Sequence, residues 1–329
     1  MHFYFTLVAL SFIGVWIYRK LAIRVKIVDI PNERSSHTKP VPRGGGIAVV
    51  ASWFAAIGYM YFFGDTISSS LFYALLSGSI LALTGIIDDI WNISPRIRLI
   101  AQLIASGLAL YFLGGLEKVN LGFYTIENVW ILTPISFVAI IWFINLFNFL
   151  DGIDGYLGTE VLFITLVTGI LFKNGYSLAI ASVVLGFLFL NWPKARIFMG
   201  DVGSTLLGFN IAVLALYFQN TNTCSILIWV MLSSLFWFDA TLTLLRRYIN
   251  KEKLMEAHRK HAYQRIVQAG YSHQKTVLIS IIINILILGL VLLSLRYSKY
   301  IVLFSIINIL FLYMIDKLIG KKNPFPKNY

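Results

Sequence analysis

The chain has 329 residues, 58% of them hydrophobic and 13% charged, with a mean hydropathy of +0.78. That balance excludes an ordinary soluble globular domain, and the net charge of +12 is not gathered into the compact basic module that a nucleic-acid binder carries. A single cysteine, Cys224, excludes an internal disulfide.

Water-free hydrocarbon favours helix for every crossing, at roughly 20 residues each. Apolar runs near that length start at about residues 2, 44, 70, 97, 129, 156, 176, 204, 223, 276 and 300. They predict an all-α, polytopic membrane bundle of about eleven transmembrane helices, forming one domain over 1–329. Arg19 and Lys20 follow the first run instead of preceding it, and no small-residue cleavage site ends it, so it reads as a retained helix with the N-terminus outside. From that start, every Lys and Arg except Lys118, Lys173, Arg296 and Lys299 falls in an inside loop or the C-terminal tail. The positive-inside rule requires this asymmetry and puts the C-terminus in the cytosol.

In chain order, the cytosolic loops then carry the unusual polar residues. HTKPVPRGGG (37–46) joins a cation to three glycines at a helix start, which suits an anion or a plain interfacial loop. In DDIWNISPRIR (88–98), the pair Asp88 and Asp89 closes a helix. Carboxylates there oppose the macrodipole by about 0.3–1 kcal/mol each, so they want a cation or a proton. In NLFNFLDGIDG (145–155), Asn145, Asn148 and Asp151 are spaced i, i+3, i+6 and form one polar stripe on a helix. NWPKARIFMGDVGS (191–204) puts a Gly-Asp-x-Gly-Ser turn at the start of the next span, a ready anion or metal-phosphate site. Asp239 stands seven residues before Arg246 on one helix face and reads as its ion-pair partner. AHRKHAYQR (257–265) sets His258 and His261 among Arg259, Lys260 and Arg265, although an amphipathic segment on anionic lipid would have the same composition.

Asp88, Asp89, Asp151, Asp154 and Asp201 all sit at cytosolic span ends, which charge bias alone does not explain. The loops at about 19–44, 88–98, 145–158, 191–204 and 245–275 therefore read as one site. Carboxylates with amides suit a hard cation such as Mg²⁺, and the surrounding Lys, Arg and His suit phosphate. The sequence has no GxxxxGK[ST], GxGxxG or HExxH, which leaves phosphoryl transfer at a membrane surface. A transporter or flippase with cytosol-facing acids is the alternative, and it predicts acids near the bilayer midplane and on both sides.

From about Lys39 to Gln264, the ordered set of Lys before a glycine cluster, DD, NxxNxxDGxDG, FMGDxGS and a His-rich last loop resembles the polyprenyl-phosphate N-acetylhexosamine-1-phosphate transferase superfamily, glycosyltransferase family 4. The resemblance implies an enzyme of the bacterial inner membrane. It would transfer a sugar-1-phosphate, an N-acetylhexosamine or a 6-deoxy derivative, from a UDP-sugar to undecaprenyl phosphate, releasing UMP. Its cofactor would be Mg²⁺, with Mn²⁺ as a substitute. Its partners would be undecaprenyl phosphate, the UDP-sugar, membrane lipids and a second copy in a homodimer, with no nucleic acid. Residue by residue, the resemblance implies metal ligation by Asp201 and Asn148 and catalytic roles for Asp88, Asp89, Asp151, His258 and His261. Phe198 would stack on uracil, and Lys39, Arg98, Asp151, Asp154, Asn191 and Arg259 would bind the nucleotide-sugar. Tyr263 and Gln264 stand where common bacterial relatives continue an HxHH pattern. That departure points away from lipid I synthases and toward the enzymes that open O-antigen or common-antigen synthesis.

Overall fold

The computed structural model describes residues 2–31, 40–64, 66–91, 93–254, 256 and 258–326. Every apolar run of the sequence becomes helix. The order is α1 (His2–Arg24), β1 (Val28–Asp29), β2 (Val41–Pro42), α2 (Gly46–Phe62), α3 (Ser69–Leu76), α4 (Ser79–Trp91), α5 (Pro95–Leu113), β3 (Lys118–Asn120) and β4 (Thr125–Glu127). Then come α6 (Val129–Phe149), α7 (Tyr156–Leu171), α8 (Gly175–Asn191), α9 (Asp201–Asn220), α10 (Ile226–Leu232), α11 (Ser234–Ile249), α12 (Ala262–Gln268), α13 (His273–Arg296) and α14 (Ile301–Lys322).

Among the described residues, seven helices are long and apolar enough to cross a membrane: α1, α3 with α4, α5, α6, α9, α13 and α14. The pair α10 and α11, bent by 73°, makes an eighth if counted as one span. The expected number was eleven. The difference lies in α2, α7 and α8, which are apolar but only 16 to 17 residues long. At 1.5 Å per residue each is about 25 Å, short of the roughly 30 Å hydrocarbon core. Their ends are set by turn chemistry: Gly155 at φ +73° opens α7, and the Asn174 side chain accepts from Ser177 N–H to start α8.

Two short ribbons were not expected in an all-helical chain. β1 pairs antiparallel with β2 (Val28 with Pro42, Asp29 with Val41), and β3 with β4 (Lys118 with Glu127). The first ribbon ties the start of the glycine cluster to the end of α1. The second lies at the opposite end of the bundle, where Asn220 Nδ2 donates to the carbonyls of Leu113 and Gly115, and Ser225 Oγ to that of Asn120.

The centre of the bundle is α9, buried along nearly its whole length. Small residues let other backbones reach it, as in helix contacts within membranes generally. A Cβ on Gly46 would stand 2.6 Å from Gly203 N, and one on Gly85 would stand 2.5 Å from Val202 Cα. Thus α2 and α4 press directly on the first turn of α9, while Gly208 lies against the Phe143 carbonyl of α6. These three contacts bring the ends of four helices together at one end of the bundle.

Candidate active site

The glycine cluster and the FMGD segment are knitted together by backbone. Phe198 N–H donates to the Pro42 carbonyl, Gly45 N–H to that of Phe198, and Gly46 N–H to that of Met199, all at 2.8 Å. This pairing aims Arg43 at the start of α9, where its Nη2 lies 2.9 Å from Asp89 Oδ1 and 2.7 Å from Asp201 Oδ1. Arg98, in the first turn of α5, reaches Asp88 Oδ2 at 3.2 Å and Asp201 Oδ2 at 3.4 Å. Asn148, from the last turn of α6, donates Nδ2 to Asp201 Oδ2 at 3.2 Å. Three acids, two arginines and an amide from five segments thus form one cluster.

The acid pair has the partners its position demands. Although Asp88 and Asp89 close α4, Asp89 Oδ1 accepts from Asp201 N–H at 3.1 Å and so caps the N-terminus of α9. Asp88 Oδ1 accepts from Ile93 N–H at 2.8 Å, fixing the turn into α5. Arg43 itself was absent from the expected site residues. Its signal was its place directly before Gly44–Gly46, where backbone pairing leaves the side chain one direction to go. Burial disfavours the Arg43 charge, but Asp89 and Asp201 outweigh that and raise its pKa.

Asp151 lies past the end of α6, in the field of the same acids. Burial, then the Asp201 charge, push its carboxyl well above the usual carboxylate range, against the pull of Arg43. Asp154 and Asn191 hold the chain itself. Asp154 Oδ2 accepts from Ala195 N–H at 3.1 Å and lies 3.3 Å from His273 Nδ1. Asn191 accepts from Gly155 N–H at 3.0 Å and donates to the Ile197 carbonyl at 2.9 Å. Phe198 is half-buried on the paired segment beside Arg43. Lys39 lies outside the described residues. Asn145 bonds Gln102 in both directions, at 3.2 and 2.8 Å, and so joins α6 to α5.

The last loop is organised from below. Arg247 donates to Glu252 and to the carbonyls of Lys253, Leu254 and Glu256, and Lys260 pairs with Glu252 at 2.7 Å. The expected pairing of Asp239 with Arg246 does not form. Arg246 turns to Asp316 on α14, which Arg265 also reaches, and two cations on one carboxylate leave Asp239 to the loop. His258 and His261 stand with ring centroids 4.8 Å apart. Burial, then the neighbouring His261 and Arg247, depress the His258 pKa to about 3, so this imidazole is neutral at physiological pH. Arg259 is half-buried beside them, its carbonyl accepting from Gln268 at 2.8 Å. Tyr263 donates its hydroxyl to the Phe149 carbonyl at 3.2 Å, which docks this loop onto the end of α6.

A cavity of about 630 Å³ opens over the cluster. Its lining includes Asp88, Arg98, Asn148, Asp201, His258 and His261 together with the apolar Leu81, Leu99, Val138, Ile141 and Trp142. No group of three His, Cys, Asp or Glu side chains among the described residues is arranged to hold a metal ion alone. The donor set still fits a hard cation that takes few protein ligands. Asp201 and Asn148 supply oxygens, and Asp89 Oδ2 is buried with no hydrogen-bond partner. The acid that a transporter would need inside the bundle, Glu160 of α7, is buried against Asn284 at 2.6 Å and lies outside this cavity.

Residues 71–219 match the model of glycosyl transferase family 4. The chain is 30% identical over 296 residues to the undecaprenyl-phosphate alpha-N-acetylglucosaminyl 1-phosphate transferase of Salmonella typhi, covering 83% of this chain and 78% of that protein. It is 31% identical over 283 residues to the protein of the same name in Escherichia coli K12, covering 80% and 75%. A Bacillus subtilis (strain 168) protein, named as a probable undecaprenyl-phosphate N-acetylglucosaminyl 1-phosphate transferase, is 28% identical over 336 residues, covering 95% and 91%. The clustered DD, NxxNxxDGxDG and FMGDxGS residues lie inside the matched range, and the chain belongs to glycosyl transferase family 4, among the polyprenyl-phosphate hexosamine-1-phosphate transferases.

Proposed function

We propose that this chain transfers N-acetylhexosamine-1-phosphate from a UDP-sugar to undecaprenyl phosphate, releasing UMP and opening the synthesis of O-antigen or a related envelope polysaccharide. N-acetylglucosamine, the sugar in the relatives' names, is the first donor to test. One observation carries the reading: the same cavity is lined both by Arg98 with Asp88 and Asp201 and by a set of apolar side chains. That combination matches a phosphate joined to a polyprenyl chain.

In this reading an oxygen of the lipid phosphate attacks the β-phosphorus and forms a new P–O bond. The bond from that phosphorus to the oxygen bridging it to UMP breaks, and UMP leaves with the electron pair. A phosphate monoester has its second pKa near 6, so the nucleophile is already mostly dianionic and needs positioning more than deprotonation. Direct attack is therefore favoured over an aspartyl-phosphate intermediate on Asp88, Asp89 or Asp151. Arg98 and Arg43, held in place by Asp88, Asp89 and Asp201, offset phosphate charge. Asp151, with its raised pKa, adds less negative charge beside the phosphates than an ordinary carboxylate would. His258 serves as a neutral hydrogen-bonding group. Asp201, with Asn148 and Asp89, would hold Mg²⁺ or Mn²⁺, which would supply positive charge against the phosphates. The reading also takes α2, α7, α8 and the bent α10–α11 pair as crossings. That makes eleven, with the N-terminus outside and the site on the cytosolic face of the inner membrane, as the basic-residue asymmetry supports.

The test is purified protein with Mg²⁺, undecaprenyl phosphate and a panel of UDP-sugars, following UMP. Release that requires both the lipid and one UDP-sugar is expected. No release with any donor, or equal release without lipid, would contradict the proposal.

A further inference from the structure

The acid that the reaction scheme leaves unused is Asp239, near the middle of α11. It is 8% exposed, and among the described residues its hydrogen bonds come from the last loop and from its own helix. Ala262 N–H donates to both of its carboxylate oxygens, at 2.8 and 3.0 Å, and Thr243 Oγ1 donates to Oδ1 at 3.1 Å. Beside them, His261 Nδ1 is buried with no hydrogen-bond partner and lies 3.7 Å from Asp239 Oδ1. The imidazole cannot swing away. It is 2% exposed, near-parallel to the Tyr263 ring at a centroid distance of 5.9 Å and tilted against His258. Tyr263 in turn is fixed by Phe149 and by the Tyr156 ring, 4.9 Å away. The same His261 lines the cavity that holds Arg98 and Asp201.

A histidine with one ring nitrogen facing a buried carboxylate has its tautomer chosen for it. The carboxylate accepts and cannot donate, so the facing nitrogen carries the proton. We propose that Asp239 is a positioning residue for the transfer reaction: its carboxylate holds the Nδ1 proton of His261 and thereby offers Nε2 to the phosphates in the cavity. The inference deepens the proposed function and rests on it for the identity of those phosphates. Asp239 touches no substrate; it acts through His261. Because it also caps the first turn of α12, it couples the position of that histidine to the entry of the helix behind it.

Asp239→Asn separates this role from a structural one, since an asparagine oxygen can still accept from Ala262 N–H while the negative charge that faces His261 is lost. Turnover should fall roughly 10- to 100-fold, the usual cost of losing a histidine's orienting partner. The KM for the UDP-sugar should stay within about threefold. In a His261→Gln background, the same substitution should cost nothing further, because the two residues act as one unit. Additive losses, or a rise in KM with turnover intact, would overturn the assignment. The chain has five histidines, so ¹⁵N-histidine spectra assigned with His261→Gln give a readout independent of activity. The wild type should carry a proton on His261 Nδ1, and Asp239→Asn should move it to Nε2. A wild-type His261 protonated on Nε2 alone would overturn the inference even in an inactive preparation. Wild-type inactivity with every donor would instead sink the proposed function and leave the spectra to decide the pair.

Discussion

Gly85→Ala changes no charge and removes no hydrogen bond, which makes it a direct probe of how the acid pair is placed. The added Cβ would sit 2.5 Å from Val202 Cα and 2.7 Å from Val202 N. Carbon atoms rest at about 3.5–4.0 Å, so α4 and α9 must separate by roughly 1 Å, and neither contact can be relieved by a rotamer because both are backbone. Overpacking of this kind costs about 1–3 kcal/mol of stability. The functional cost is larger in proportion. Asp88 and Asp89 lie on α4 one turn beyond Gly85, and both depend on the start of α9: Asp89 through Asp201 N–H, Asp88 through the Arg98 that it shares with Asp201. A displacement of about 1 Å at a reacting centre costs on the order of 100-fold in rate. The assay is UMP release by detergent-purified protein, with thermal unfolding measured alongside. A loss of about 100-fold with a fall of only a few degrees in the unfolding midpoint is expected. Wild-type turnover in Gly85→Ala would refute the argument that the α4–α9 contact sets the geometry of the site.

Arg43→Met should destabilise the substrate-free protein by about 2 kcal/mol. This is less than the 3–5 kcal/mol of a fully buried pair because the side chain is 31% exposed, and thermal unfolding in detergent measures it. An unchanged midpoint would mean that Asp89 and Asp201 do not need their cation. Asp151→Asn tests the raised carboxyl. Its folded pKa lies above the unfolded value, so the carboxyl stabilises the fold relative to ionisation only while protonated, and that contribution is lost as pH rises from about 4 toward the folded pKa. The variant should therefore gain stability over the wild type as pH rises across that window, and a pH-independent difference in unfolding midpoint would contradict it. Phe198→Ala should weaken UDP-sugar binding more than undecaprenyl phosphate binding if the ring stacks on uracil, and equal changes in the two KM values would count against that contact.

The helices and the polar end of the bundle were legible because both follow from solvent. Hydrocarbon forces apolar runs into helix, and polar residues at one set of helix ends must face the same way. The i, i+3, i+6 stripe of NLFNFLDGIDG did bring Asn148 to Asp201. Less was legible where tertiary contacts decide. Nothing local in HTKPVPRGGG says that its backbone pairs with Phe198 and Met199, yet that pairing is what delivers Arg43. The seven-residue spacing of Asp239 and Arg246 was real, but Asp316, seventy residues further on, competes better for the arginine. The resemblance assigns Asn191 and Asp154 to the nucleotide pocket, and no local pattern says that they also accept from Gly155 and Ala195 N–H and so close the loop between them. Spacing along a chain reports which residues share a face and says little about which distant partner will claim them.

The central claim is that a sugar-1-phosphate moves to the lipid, as distinct from a bare sugar or a free phosphate. It is tested most directly with a UDP-sugar labelled on its β-phosphate, incubated with undecaprenyl phosphate, Mg²⁺ and purified protein, and separated into lipid and aqueous phases. The account predicts that the label appears in an undecaprenyl-diphospho-sugar while unlabelled UMP accumulates in equal amount. Label that stays in the aqueous phase as UDP or free phosphate, with a lipid product carrying a single phosphate or none formed at all, would contradict it.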